Sequence, residues 1–116
     1  MSTAGKKASS RKLQEKIEEL VAILRGIDPE KIILFGSAAA GRAYKDSDLD
    51  LCLIKEGDRL KVKREIWGLL RRANYDWAVE PDIHVYEPLV YTDWLERGDP
   101  FIAEIEKGRV LYERPV

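Results

Sequence analysis

Two aspartates, Asp48 and Asp50, stand two positions apart at the head of an apolar run that continues to Ile54. Alternate residues of a β-strand project from one face, so these two carboxylates would lie about 6.6 Å apart along the strand. A third aspartate, Asp82, would come within about 4.8 Å if its own strand lies alongside. Because carboxylates this close repel one another, they are tolerated when a cation neutralises them. Oxygen ligands favour a hard ion, so the three aspartates predict a Mg²⁺ or Mn²⁺ site.

A Gly-Ser pair, Gly36 and Ser37, follows the apolar run of residues 31–35. A glycine at the end of a strand lets a ligand approach the backbone closely. A helix that begins there directs free N–H groups at an anion, and the alanines at 38–40 favour that helix without adding bulk. An anion site and a metal site separated by one loop suit a nucleoside triphosphate with its metal ion.

The spacing of apolar residues predicts the elements that must position these side chains. Helices are predicted over residues 11–26, 37–41, 58–76, 91–97 and 100–107, and strands over 31–36, 48–57, 78–88 and 109–113. Pro81 indicates an edge strand or a bulge at the start of the third strand. Helices and strands alternate along the chain, so the predicted class is α/β or α+β.

Length and composition limit the other classes of protein. The chain has 116 residues and a net charge of −1, which predicts one domain with no general attraction to nucleic acid or membranes. No apolar run approaches the roughly 20 residues of a membrane span, and we expect no signal peptide. The one cysteine, Cys52, is expected to be a buried thiol in a reducing cytoplasm. Residues 1–10 are small, polar and basic, so we expect a disordered tail there and one domain over residues 11–116.

The motif resembles a known family. A Gly-Ser pair, ten residues and then Asp48-Leu49-Asp50 are similar to the G-S-x10-D-x-D signature of the DNA polymerase β-like nucleotidyltransferase superfamily. Asp82 looks like the third aspartate of that family. The short length and the ending over residues 101–113 resemble the minimal nucleotidyltransferases (MNT), which are commonly paired with a helical HEPN-domain protein as toxin and antitoxin. The resemblance implies the nucleotidyltransferase fold, a small mixed β-sheet flanked by helices.

The resemblance also implies roles for individual residues. Asp48 and Asp50 would hold one or two divalent ions on the triphosphate, and Asp82 would complete the site and help to deprotonate an acceptor hydroxyl. Gly36 and Ser37 would bind the triphosphate. The implied reaction transfers AMP from ATP to a tyrosine of a HEPN partner, which would make this chain an antitoxin.

One position departs from the pattern. Members of the group often carry arginine in a G-S-x-x-R-G turn, but Ala40 stands there and Arg42 follows Gly41. Arg42 and Lys45 are therefore candidate phosphate contacts. The alternative, given at least equal weight, is that both are solvated charges of the loop.

Other interpretations stay open at this point. The chain could be a non-catalytic or nucleotide-sensing module that neutralises a helical partner by contact. Modification of a small molecule is weaker, because the chain has no length for an acceptor domain. His84 shares a strand face with Asp82, and a structural role is favoured over a pocket-lining one.

Two surfaces also have two interpretations each. The basic face of the helix after Asp58 could bind nucleic acid, but interruption by Glu65 favours a solvated face. The tryptophans Trp67, Trp77 and Trp94 either fill the core or mark a surface that a partner or a second copy covers.

Overall fold

The computed structural model describes residues 2–39, 49–77 and 79–116. The helices are α1 (Ser2–Leu24), α2 (Gly36–Ala39), α3 (Arg59–Arg72), α4 (Pro88–Glu96) and α5 (Pro100–Glu106), with a 3-10 turn over Arg25–Ile27. The strands are β1 (Lys31–Phe35), β2 (Leu49–Ile54), β3 (Pro81–Tyr86) and β4 (Arg109–Glu113).

These strands form one mixed sheet in the order β3-β2-β1-β4. β1 is antiparallel to β2 and to β4, whereas β2 and β3 are parallel. β3 lies at the edge of the sheet. Pro81 predicts either an edge strand or a bulge, and the structure has the edge strand. The predicted small mixed sheet flanked by helices is confirmed.

Each face of the sheet is buried against helices. Alternate residues of β2 point to opposite faces. Leu49, Leu51 and Leu53 pack with apolar residues of α1 and α3, among them Leu20 and Ile66. Each leucine that is fully buried in this way contributes about 1.5–3 kcal/mol.

The opposite face of β2 carries the site residue Asp50, followed by two buried residues. Cys52 and Ile54 pack with Tyr91 of α4 and Ile102 of α5. Asp50 therefore lies on the α4/α5 side of the sheet.

Aspartate caps fix the starts of two helices. The Asp58 side chain accepts a hydrogen bond of 2.9 Å from the Leu60 N–H at the start of α3. The Asp99 side chain accepts one of 3.0 Å from the Ile102 N–H at the start of α5. Such caps satisfy N–H groups that have no partner within the helix.

Four helix starts differ from the sequence expectation, one of them only in that α3 begins at Arg59, directly after its cap Asp58. α1 begins at Ser2, so the structure has helix where a disordered tail was expected; alanine and lysine in this segment favour helix over coil. The boundary between residues 1–10 and a domain over 11–116 stays a prediction. α2 begins at Gly36 rather than Ser37, and α4 begins at Pro88, where proline suits the first helical turn, rather than at Tyr91.

In the part of the chain that the structure describes, every helix is too short or too polar to cross a bilayer.

Candidate metal and nucleotide site

Asp50 and Asp82 lie directly opposite each other on the parallel strands β2 and β3. Residues paired in this register project from the same face of the sheet, so the two carboxylates point the same way. One ligand atom each from Asp50, Asp82 and His84 lie within 4.8 Å of one another. The structure thus brings together two of the three predicted aspartates, and their role as metal ligands stays a prediction.

His84 belongs to the same cluster. Its Nε2 atom is 3.4 Å from Asp82 Oδ2. Its ring packs against Phe35, with the ring centroids 5.6 Å apart, and against Phe101 at 5.2 Å. The sequence favours a structural role for His84, yet this side chain stands beside the carboxylates; the signal for it is the two-residue spacing from Asp82 on a strand.

Gly36 brings the backbone close to Asp50. It has a φ of +75°, a conformation that side-chain-bearing residues rarely adopt. A Cβ atom placed on Gly36 would lie 2.5 Å from Asp50 Oδ2, well inside the van der Waals contact distance. A side chain at this position would collide with the carboxylate, so glycine is what allows the backbone to approach it so closely.

The remaining predicted residues can be placed only in part. Asp48 and Arg42 lie outside the described residues. Ser37 is in α2, and its side chain is likewise not among those described. Their proposed contacts with metal and triphosphate therefore stay predictions.

The donor set fits a divalent cation. Two carboxylates and an imidazole are ligands that proteins use for such ions. The Asp82 side chain is 58% exposed, and its strand is at the sheet edge, so a ligand can reach the cluster from solvent. Asp50 is half-buried, which makes it the more fixed of the two carboxylates.

A cleft of about 190 Å³ lies between α3 and the start of β3. Asp82 lines it together with Lys63, Trp67 and Pro81. The ring of Trp67 stacks on Trp77, with centroids 5.4 Å apart and an interplanar angle of 25°. Trp67, Trp77 and Trp94 are each between 43% and 48% exposed, so they form surface rather than core.

Comparison with known proteins identifies the family of the chain. Residues 11–112 match the family model of the nucleotidyltransferase domain. The chain belongs to this family. The predicted fold, the transferase class and nucleotidyl transfer as the general reaction are thereby confirmed.

A relative in Methanocaldococcus jannaschii carries the name "Putative protein adenylyltransferase". It is 33% identical over 79 residues, which cover 66% of this chain and 78% of the relative. This chain is similar to that protein over most of both lengths.

Proposed function

We propose that the chain transfers AMP from ATP to a hydroxyl group of a protein, with Mg²⁺ or Mn²⁺ as its metal ion. The observation that carries the proposal is the in-register pair Asp50 and Asp82 on one face of the sheet. Membership of the nucleotidyltransferase family supports a nucleoside triphosphate substrate. The name of the Methanocaldococcus relative supports AMP as the group and a protein as the acceptor.

Asp48, Asp50 and Asp82 would hold the metal. A divalent ion bound there would offset the charge of the triphosphate and make its α-phosphorus more electrophilic. Gly36 lets the backbone approach the Asp50 carboxylate closely. Backbone N–H groups at Gly36 and Ser37, together with the Arg42 side chain, would contact the triphosphate oxygens.

Asp82 would also serve as the general base. The acceptor oxygen forms a bond to the α-phosphorus, the bond from that phosphorus to the bridging oxygen of the β-phosphate breaks, and pyrophosphate leaves. The proton of the acceptor hydroxyl passes to the Asp82 carboxylate. The exposure of Asp82 supports this role, because a protein hydroxyl has to reach the base from solvent.

The proposed acceptor is a tyrosine of a HEPN-domain partner, and the proposed role is that of an antitoxin in the cytoplasm. The resemblance to the MNT group supports the partner. The fully buried thiol of Cys52 fits a reducing compartment.

The second candidate is a module that neutralises its partner by contact alone. The exposed apolar side chains Leu89, Val90 and Trp94 on α4 and Phe101 on α5 favour it, because a partner or a second copy could cover them.

Label transfer tests the proposal. Purified protein is incubated with Mg²⁺, ATP labelled at the α-phosphate and the HEPN partner or a lysate of the native cell. We expect a labelled protein band with the wild type that is lost in Asp50→Asn. Asp93→Asn is the matched control, since this aspartate lies on the exposed surface of α4, where it pairs with Arg97.

Neutralisation of the partner separates the two candidates. If Asp50→Asn still forms the complex but no longer neutralises the partner, the chemistry is required. Full neutralisation by Asp50→Asn, without any label transfer by the wild type, would favour the contact module instead.

A further inference from the structure

The third donor of the cluster is a nitrogen atom, on a residue that the G-S-x10-D-x-D motif does not include. His84 follows Asp82 by two positions on β3, so its side chain leaves the sheet on the same face as Asp50 and Asp82. Among the described residues, the cluster therefore offers two carboxylates and one imidazole nitrogen.

The distances suit a single ion. In six-coordinate geometry with bonds of about 2.1 Å, ligands on opposite sides of the ion are about 4.2 Å apart. The three donor atoms here lie within 4.8 Å of one another, so changes in their side-chain torsions would bring them around one ion. The His84 Nε2 atom lies 3.4 Å from the Asp82 carboxylate, so the donor nitrogen of the ring is the atom that faces the other ligands.

Two aromatic rings hold the imidazole in this position. Phe35 and Phe101 both contact His84, and they contact each other edge to face with centroids 5.6 Å apart. The His84 side chain is 28% exposed, so most of its rotamer freedom is already lost in the folded protein. A ligand held in place costs less entropy on binding than a free one.

We infer that His84 is a metal ligand, which makes this site selective for Mn²⁺ over Mg²⁺. Carboxylate oxygens suit both ions, whereas imidazole adds affinity for first-row transition metals and contributes little for Mg²⁺. The inference rests on the proposed function, because it concerns the metal ion of the same site.

Binding of the metal alone tests it without any catalysis. Mn²⁺ binding is followed by the electron paramagnetic resonance signal of the free ion, and Mg²⁺ binding by its competition with Mn²⁺. His84→Phe keeps a ring between Phe35 and Phe101 but removes the nitrogen. We expect it to weaken Mn²⁺ binding by about tenfold or more and Mg²⁺ binding by less than about threefold.

A second variant changes the donor instead of removing it. His84→Asp supplies an additional carboxylate, so we expect tighter Mg²⁺ binding than in His84→Phe and a smaller preference for Mn²⁺ than in the wild type. Circular dichroism and thermal unfolding of both variants show that the fold is kept. The visible absorption of bound Co²⁺ gives an independent readout, since it responds to a change from nitrogen to oxygen ligands.

The outcomes are distinct. If His84→Phe weakens both ions by the same factor, His84 only orients Asp82 and the inference is overturned; an unchanged Mn²⁺ affinity overturns it as well. In both cases metal binding that is lost in Asp50→Asn would leave the proposed function intact. A wild-type protein that binds neither ion would contradict the proposed function and the inference together.

Discussion

Gly36 sets how closely the backbone can approach the Asp50 carboxylate. Its φ of +75° alone would disfavour any other residue, and the neighbouring Oδ2 atom leaves no room for a Cβ. Gly98 has a similar φ of +78°, but nothing lies within 4 Å of the place where its Cβ would be. A comparison of Gly36 with Gly98 therefore separates two effects. Both positions have the left-handed backbone, but only at Gly36 would a Cβ collide with a neighbouring atom.

We expect Gly36→Ala to destabilise the protein more than Gly98→Ala does. A left-handed residue with a Cβ costs about 1–2 kcal/mol, which is the full cost expected at Gly98. Gly36→Ala should add at least about 1 kcal/mol for the contact with Asp50, and it should weaken metal binding by displacing this carboxylate. Urea unfolding and metal titration of both variants measure these two effects.

Gly98→Ala is the control for metal binding, since Gly98 lies in the turn between α4 and α5. Equal destabilisation by the two variants, with metal binding unchanged in Gly36→Ala, would show that the carboxylate moves aside freely and that the glycine serves the backbone alone.

At the scale of elements, α5 connects the sheet to the candidate site. Ile102 and Ile105 bury the helix against the sheet, and Phe101 contacts the His84 ring. The Asp99 cap holds the start of this helix, one position before Pro100. Loss of the cap should therefore loosen the end of α5 that packs on His84.

Asp99→Ala and Asp58→Ala test this connection as a matched pair. Each removes one side-chain cap and should cost about 0.5–2 kcal/mol of the free energy of unfolding. Only Asp99→Ala should also weaken Mn²⁺ binding, because α5 contacts the His84 ring through Phe101, whereas α3 packs on the opposite face of the sheet. Similar Mn²⁺ affinities in the two variants would contradict a role of α5 in holding His84.

The elements themselves were predictable because their signals are local. The alternation in β2, the stripe Val62, Ile66 and Leu70 in α3 and the Gly108 that follows α5 each lie within one segment. Pro88 is also a local signal, and reading it as a helix start would have corrected the expected beginning of α4.

Contacts between segments were harder to predict. The spacing of Asp48 and Asp50 predicts a shared face, but the register that sets Asp82 opposite Asp50 comes from pairing between strands about thirty residues apart. The stacking of Trp67 on Trp77 and the contacts of Phe101 with His84 also depend on tertiary packing. Motif recognition indicated the aspartates, whereas the sequence left His84 with two possible roles and its contacts are visible only in the structure.

For the molecule as a whole, both faces of the sheet are covered while the candidate site stays accessible. α1 and α3 bury one face, and α4 and α5 bury most of the other. Asp82 remains exposed because β3 is the edge strand. The residues that form the core and the carboxylates of the candidate site therefore lie at different positions of the same strands. Substitutions at the carboxylates should leave the core intact.

A buried thiol and a buried phenol make the stability of the whole fold sensitive to high pH. Burial, and then the charge of Glu106, raises the pKa of Cys52 from 9.0 to about 12. Burial likewise raises the pKa of Tyr75 from 10.0 to about 12, with smaller effects of Glu19 and Asp76. In the unfolded chain these groups lose their protons near their ordinary pKa values, which favours unfolding as the pH rises.

We therefore expect the free energy of unfolding to be independent of Cys52 ionisation below about pH 9 and to fall between about pH 9 and pH 12. Urea unfolding at pH 8, 9.5 and 10.5 measures this, with Cys52→Ala as the comparison. The alanine variant is less stable by a constant amount from the lost packing, but it lacks the titrating thiol. The wild-type stability should therefore decline more steeply, by at most about 1.4 kcal/mol per pH unit, and the difference between the two proteins should shrink. Parallel curves would mean that the thiol ionises as readily in the folded protein as in the unfolded chain, against its complete burial in β2.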